Sequence, residues 1–134
     1  MCRKCSEKVK STGVIYCSVQ CQLDFQHSEY IKSWKTGNAR GDRGKVTKNI
    51  SAHVKRYLFE KFTNGCSLCG WREINQKTGN VPLEIDHIDG NPDNNSEENL
   101  RLICPNCHSL TANFRNLNKG NGRSWRRIKY NKIP

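Results

Sequence analysis

Two short stretches of the sequence decide the fold: Leu83-Glu-Ile-Asp-His-Ile88 and, further along the chain, Leu100-Arg-Leu-Ile103. The first alternates apolar and polar residues and runs into Asp89-Gly90, a pair typical of tight turns, so it predicts a strand that enters a turn. The second stretch predicts the partner strand. Pro105, directly after Cys104, predicts the start of a short helix over 105–114. The order strand, loop, strand, helix indicates a small α+β unit.

The cysteines form two sets of four, and each set contains two closely spaced pairs. A Cys-x2-Cys pair on a tight turn presents two sulfurs to one ion at about 2.3 Å, and two pairs complete a tetrahedral zinc site. The alternatives are disulfides or buried reduced thiols. We expect one structural zinc ion in each set, and His27 to be a surface residue rather than a ligand. The sets are Cys2, Cys5, Cys17 and Cys21, and Cys66, Cys69, Cys104 and Cys107.

Composition limits the classes of protein that fit this chain of 134 residues. Only 34% of the residues are hydrophobic, so metal sites are expected to supplement a small core. The net charge of +11 points to a polyanionic partner such as nucleic acid, although a membrane surface or plain solubility also fits. The sequence lacks an apolar run that could span a bilayer, and Met1-Cys-Arg-Lys-Cys5 does not look like the start of a signal peptide. We therefore expect a reducing, cytoplasmic location and no membrane partner.

The chain divides into four predicted parts. Ser51 is placed to cap a helix whose apolar residues recur from Ile50 to Phe62, and Gly65 is placed to stop it. The segment before this helix is rich in glycine and cations, which is typical of a flexible linker. The predicted parts are an N-terminal four-cysteine zinc module (1–36), a basic linker (37–48), a second zinc-supported domain (49–118) and a basic C-terminal tail (119–134).

Charge is distributed unevenly along the second half of the sequence. Residues 83–98 contain six of the twelve acids and no Lys or Arg, whereas residues 99–134 contain no acid. A basic protein that concentrates carboxylates around His87 is expected to hold a cation there. The alternative is a polar turn with scattered acids.

The motif around His87 resembles the HNH family of metal-dependent nucleases, in the version that carries a four-cysteine zinc site. The resemblance rests on Glu84-Ile-Asp-His-Ile-Asp-Gly-Asn91, on Asn95-x3-Asn99, and on Cys104-Pro-Asn-Cys-His108, and it covers about residues 49–120. It implies a ββα-metal nuclease domain over 49–118, preceded by a small zinc-finger-like module that resembles those of phage and bacterial members.

The resemblance also implies a role for each residue of the motif. His87 matches the general base, and Asp86 matches a ligand of the catalytic cation, Mg²⁺ or Mn²⁺. Asn99 matches the residue that orients the catalytic histidine through hydrogen bonds, with Asn95 as the competing candidate. His108 matches the second metal ligand; the alternative is a contribution to the zinc cluster. Adjacent residues of a strand point to opposite sides, so the arrangement of Asp86 and His87 is left open by the sequence.

The implied activity is a metal-dependent DNA endonuclease with one divalent catalytic cation, which leaves 5′-phosphate and 3′-hydroxyl ends. We expect a protein of phage or bacterial type in a bacterial or phage-infected cell, with a homing or a packaging-associated role, and a monomer is favoured. The alternative is a non-catalytic double-zinc DNA-binding module that regulates transcription.

The C-terminal part interleaves cations with Phe114, Trp125 and glycines, a mixture suited to contacts along a phosphate backbone and to stacking on exposed bases. The alternative is a solubilising tail. The residues predicted to bind DNA are Arg115, Lys119, Arg123, Arg126 and Arg127.

Overall fold

Residues 1–43 and 49–120, which the computed structural model describes, contain three α-helices, four short strands and two 3₁₀ turns. The chain divides into two units, residues 1–39 and residues 40–134, which are described separately. The α-helices are α1 (Val19–Lys35), α2 (Ala52–Lys61) and α3 (Pro105–Ser109); the strands are β1 (Asp42–Arg43), β2 (Asn49–Ile50), β3 (Glu84–His87) and β4 (Leu100–Ile103); the 3₁₀ turns are Glu97–Asn99 and Arg115–Asn118.

The first unit consists of the N-terminal cysteine set and α1. The helix begins after Ser18, whose hydroxyl oxygen accepts a hydrogen bond from the backbone N–H of Cys21. Ile31 and Trp34 form its buried stripe, and His27 is buried with them at 7% exposure. The expectation that His27 is a surface residue was therefore wrong, because its position on α1 places it on the buried side of the helix.

In the second unit, β1 and β2 form a two-stranded antiparallel ladder ahead of α2. Asp42–Arg43 lies in the segment predicted as a flexible linker, and Asp42 pairs there with Ile50. The Ser51 side chain caps α2 by accepting from the N–H of His53, as predicted. The helix buries Val54 and Leu58 completely, so its apolar stripe supplies a large part of the small core.

Strands β3 and β4 form an antiparallel hairpin in which Glu84 pairs with Ile103 and His87 pairs with Leu100. Leu102 and Ile103 of β4 are fully buried. Cys104 caps α3 and Pro105 occupies its first turn, which confirms the predicted helix start, although α3 ends at Ser109 rather than near residue 114. The hairpin and α3 place one cysteine pair and the residues of the motif next to each other.

The described residues therefore confirm a small α+β architecture with the predicted order strand, loop, strand, helix. None of the helices in this part of the chain is both long and apolar enough to cross a membrane.

Candidate active site and metal centres

Both predicted cysteine sets bring four sulfurs together, with all ligand atoms of a set within 4.8 Å of one another. The Sγ–Sγ distances are 3.5 Å for Cys5 to Cys17, 3.5 Å for Cys17 to Cys21 and 3.7 Å for Cys69 to Cys104. A disulfide would join sulfurs at about 2.05 Å, so these are free thiols. Zinc–sulfur bonds of about 2.3 Å give a tetrahedron with edges of about 3.8 Å. The spacing therefore fits zinc.

The electrostatics of each set also favour a cation. Hydrogen bonding with the sulfurs of Cys104 and Cys69 raises the pKa of Cys107 to about 12. Cys21 acts in the same way on Cys17, whose pKa is also about 12. Four thiols at this spacing cannot all ionise unless a positive charge lies between them. Each set could hold a structural Zn²⁺, for which four thiolates are a usual ligand set.

His87 lies at the end of β3, and its ring contacts one side-chain amide. The His87 Nε2 atom lies 2.8 Å from Oδ1 of Asn95, a residue that is only 4% exposed. An amide oxygen only accepts hydrogen bonds, so in the neutral ring Nε2 carries the proton and Nδ1 keeps its lone pair. That protonation state is the one a histidine needs in order to take a proton from water.

Asn99 makes three side-chain hydrogen bonds within the loop that follows β3. Its Nδ2 donates to Asp89 Oδ1 and to the backbone oxygen of Asn94, each at 2.8 Å, and its Oδ1 accepts from the backbone N–H of Asp89 at 2.9 Å. The hydrogen bond to His87 that was expected of Asn99 is thus made by Asn95. The hydrogen bonds of Asn99 stabilise the loop that carries Asn95. The catalytic role of Asn99 stays a prediction.

Hydrogen bonds also lower the pKa of Asp89, an acid of this loop. Donation from the Asn94 side chain, and then from the backbone N–H of Asn91, holds the pKa of Asp89 below its usual value. Asp89 is therefore a stable anion that organises the loop by accepting hydrogen bonds.

Asp86, the predicted metal ligand, lies on the face of β3 opposite to that of His87. It is 7% exposed, and its Oδ2 accepts from Nε of Arg101 at 2.7 Å. Asp86 and Arg101 are partners in the hairpin register, so pairing of the strands places the guanidinium against the carboxylate. Arg101 compensates a buried negative charge that would otherwise be costly. The ion pair uses one of the two carboxylate oxygens.

His108, the second predicted metal ligand, lies in α3 next to Cys107. Its Nδ1 contacts the carboxylate of Glu84. Glu84 and Asp86 are two residues apart in β3, so their side chains lie on the same face of the hairpin. α3 therefore brings His108 to the face that carries Asp86. A carboxylate oxygen and an imidazole nitrogen are donors that Mn²⁺ accepts, and the carboxylate is a ligand that Mg²⁺ prefers.

Comparison with known proteins identifies this part of the chain. Residues 73–109 match the model of a family described as HNH endonuclease. This segment belongs to the HNH endonuclease family. The match confirms the resemblance inferred from the motif, and residues 73–109 are called the HNH segment below.

A relative of the chain is the H-N-H endonuclease F-TflIV of Escherichia phage T5. The two proteins are 46% identical over 55 residues, which cover 41% of this chain and 23% of the relative. The aligned stretch thus spans less than a quarter of the relative's length. No solved structure matches the chain significantly.

The HNH segment contains every residue of the motif and the second cysteine pair of its zinc set. The other pair, Cys66 and Cys69, precedes the segment. Within the segment lie Asp86, His87, Asn95, Asn99, Cys104, Cys107 and His108.

Two of the residues predicted to bind DNA follow the HNH segment within the described part of the chain. Arg115 is exposed and places its guanidinium 4.9 Å from the centre of the Phe114 ring. Lys119 is exposed as well. Arg123, Arg126 and Arg127 lie outside the described residues. The DNA-binding role of all five stays a prediction.

Sequence reasoning assigned no role to Glu84 or to the pairing of Arg101 with Asp86. The alternation of β3 carried a signal for Glu84, because two residues that are two positions apart in a strand share a face. The Arg101 contact follows from the register of the hairpin, which depends on how the loop between the strands folds.

Proposed function

We propose that the HNH segment is the catalytic part of a metal-dependent DNA endonuclease, with His87 as general base. Asp86 and His108 would hold a single divalent cation, Mg²⁺ or Mn²⁺. The observation that carries the proposal is the 2.8 Å contact between His87 Nε2 and Asn95 Oδ1, which leaves Nδ1 able to accept a proton.

In the proposed reaction, His87 Nδ1 takes a proton from a water molecule whose oxygen attacks the phosphorus of a phosphodiester. The bond from phosphorus to the 3′ oxygen breaks, its electron pair stays on that oxygen, and the oxygen takes up a proton from solvent. The products are a 5′-phosphate and a 3′-hydroxyl. When bound, the cation neutralises charge that develops on the phosphate and on the leaving oxygen.

Charge supports DNA as the substrate. The chain carries a net charge of +11. Half its acids lie in 83–98, whereas residues 99–134 carry eight cations and no acid. Carboxylates near the site suit a cation, and the basic segment suits phosphates. We further propose a monomer that acts in the cytoplasm of a bacterial or phage-infected cell. A homing or packaging-associated role agrees with the likeness to a phage H-N-H endonuclease.

The second candidate function is a non-catalytic double-zinc DNA-binding module that regulates transcription. The two four-cysteine sets and the basic charge fit it equally well. The oriented His87 and the placement of Asp86 and His108 on one hairpin face favour the nuclease, because a binding module has no need of either.

Cleavage of supercoiled plasmid across Mg²⁺ and Mn²⁺ titrations tests the proposal. We expect His87→Ala to keep its zinc, fold and DNA affinity while the cleavage rate falls by roughly 10² to 10⁴, the usual contribution of a general base. His53→Ala in α2, outside the HNH segment, is the matched histidine control and should cut at the wild-type rate.

The titrations also separate the roles of the residues. Raised cation concentrations should partly restore the cleavage rate of Asp86→Ala and His108→Ala, because these variants lose ligands of the cation. They should not restore the cleavage rate of His87→Ala, which lacks the base. Wild-type protein that cuts no DNA with any divalent cation would leave the binding module as the better description.

A further inference from the structure

We propose that Glu84 is a positioning residue of the cation site: it holds His108 in the tautomer and orientation in which Nε2 can bind the divalent cation. This inference rests on the proposed function, since it assumes that His108 is a ligand of that cation. It adds a positioning residue, Glu84, to the two proposed ligands, Asp86 and His108.

The first support is the contact between the two side chains. The carboxylate of Glu84 meets Nδ1 of His108. A carboxylate accepts hydrogen bonds, so the neutral imidazole must carry its proton on Nδ1 and its lone pair on Nε2. Histidines that bind metals usually donate their other N–H to a carboxylate or a carbonyl, which fixes the ring and makes it a better ligand.

The second support is that the fold determines this contact at both ends. Glu84 pairs with Ile103, the residue before Cys104, so the hairpin register places Glu84 beside the start of α3. On the other side, the N–H of His108 donates to the backbone oxygen of Cys104 at 2.9 Å, within the helical turn that the zinc set anchors. The register and the cysteine set together bring the carboxylate to the ring.

The third support is that the His108 ring is restrained by a second neighbour. Phe114 packs against it edge to face, with ring centres 5.2 Å apart and an angle of 80° between the planes. The Glu84 side chain is 51% exposed, so it contributes little to the packing of the core. A half-exposed carboxylate aimed at a restrained imidazole is better explained by positioning than by core stability.

Two measurements on the zinc-loaded full-length chain test the inference. Nitrogen-15 NMR of the imidazole, at a pH where the ring is neutral, reports which nitrogen of His108 carries the proton. Electron paramagnetic resonance of Mn²⁺ gives the cation's Kd without any substrate. We expect the Nδ1–H tautomer in the wild type, loss of that preference in Glu84→Ala, and Mn²⁺ binding weakened by about 10- to 100-fold.

Two further variants make the result specific. Glu84→Gln keeps an oxygen that accepts from Nδ1–H, so it should retain the tautomer and weaken Mn²⁺ binding less than Glu84→Ala does. Glu73→Ala removes an exposed glutamate of the same unit that is not part of β3, and it should match the wild type in both measurements. Zinc content and circular dichroism confirm that each variant is folded.

The outcomes distinguish this inference from the nuclease proposal. Wild-type cleavage of plasmid, combined with an unchanged tautomer and Mn²⁺ Kd in Glu84→Ala, would overturn the role of Glu84 and leave the nuclease intact. Loss of the tautomer and of Mn²⁺ affinity in Glu84→Ala, in a wild type that cuts no DNA, would support the role of Glu84 at a cation site and count against the nuclease.

Discussion

The amide oxygen of Asn95 selects one tautomer of the neutral His87 ring. Asn95 is buried, and its Oδ1 can pair with Nε2 only when that nitrogen carries the proton. In the neutral ring, Nδ1 then keeps its lone pair. In the proposed nuclease, Asn95 would therefore act through His87, without any need to contact substrate.

Replacing Asn95 should separate catalysis from binding. We expect Asn95→Ala to lower the rate of plasmid cleavage by roughly 10- to 100-fold, part of the 10² to 10⁴ that a positioned general base supplies, while DNA affinity is kept. The loss of one buried hydrogen bond should lower the free energy of unfolding by about 1 to 3 kcal/mol. Cleavage assays, binding isotherms and urea unfolding measure the three quantities.

Asn99→Ala is the matched variant, because it removes the same amide from the same loop. Asn99 makes three hydrogen bonds with Asp89 and Asn94, so its loss should cost more stability than the loss of Asn95. If Asn99→Ala slows cleavage by His87 in a fully folded protein while Asn95→Ala does not, the assignment of the orienting contact to Asn95 is wrong.

For individual residues, the sequence was sufficient to choose the candidates for the site but not to predict which side chains contact each other. The spacing of Asp86, His87 and His108 was enough to select them. The structure puts Asp86 and His108 on one face of the hairpin and His87 on the other, and their joint action stays a prediction. Which asparagine reaches His87 could not be predicted, because Asn95 and Asn99 are four residues apart in a loop without a regular period. The choice depends on hydrogen bonds that form only when the loop folds.

Among the elements, the turn after β3 depends on a glycine. Gly90 has a φ of +74°, and a Cβ added there would lie 2.6 Å from Oδ1 of Asn118 and 2.7 Å from Cγ of Asn113. Asn118 also donates from Nδ2 to the Gly90 oxygen at 2.8 Å. The segment after α3 thus packs directly on the turn that follows His87, and a side chain at position 90 would push it away.

Gly90→Ala and Gly79→Ala form a matched pair of variants. Gly79 has nearly the same φ, +73°, but a Cβ there would meet no atom within 4 Å. Both changes carry the cost of left-handed backbone, about 1 to 2 kcal/mol, and only Gly90→Ala adds the clash. We expect urea unfolding to show a clearly larger decrease in the free energy of unfolding for Gly90→Ala than for Gly79→Ala. Equal losses would mean that the two asparagines move aside at no cost.

The regular elements were predicted where local signals decide them. The Ser51 cap of α2 and the Pro105 start of α3 are local, and both were confirmed. The pairing of Asp42 with Ile50 was not predicted, because the paired stretches are only two residues long and show no alternation. Short strands of two residues are set by the chain around them rather than by their own composition.

For the whole molecule, the two cysteine sets replace part of the hydrophobic core. We predict two zinc ions per chain, measured by metal analysis of purified protein, and one ion in either Cys5→Ser or Cys69→Ser. Chelation strong enough to remove zinc should unfold the chain, since the binding free energy is largely folding free energy. Purified wild type with almost no zinc and a native circular dichroism spectrum would contradict this.

The division of charge along the chain leads to a prediction about the basic tail. Deleting residues 121–134 removes five cations: Arg123, Arg126, Arg127, Lys129 and Lys132. For each cation that no longer pairs with a phosphate, the slope of log affinity against log salt should flatten by about 0.9 on duplex DNA, because fewer counterions are released on binding. A second variant, with these five residues changed to Gln at full length, separates charge from chain length and should flatten the slope equally. A slope unchanged in both variants would show that the phosphates are bound by other cations, and the residues to replace next would be Arg115 and Lys119, which are both exposed.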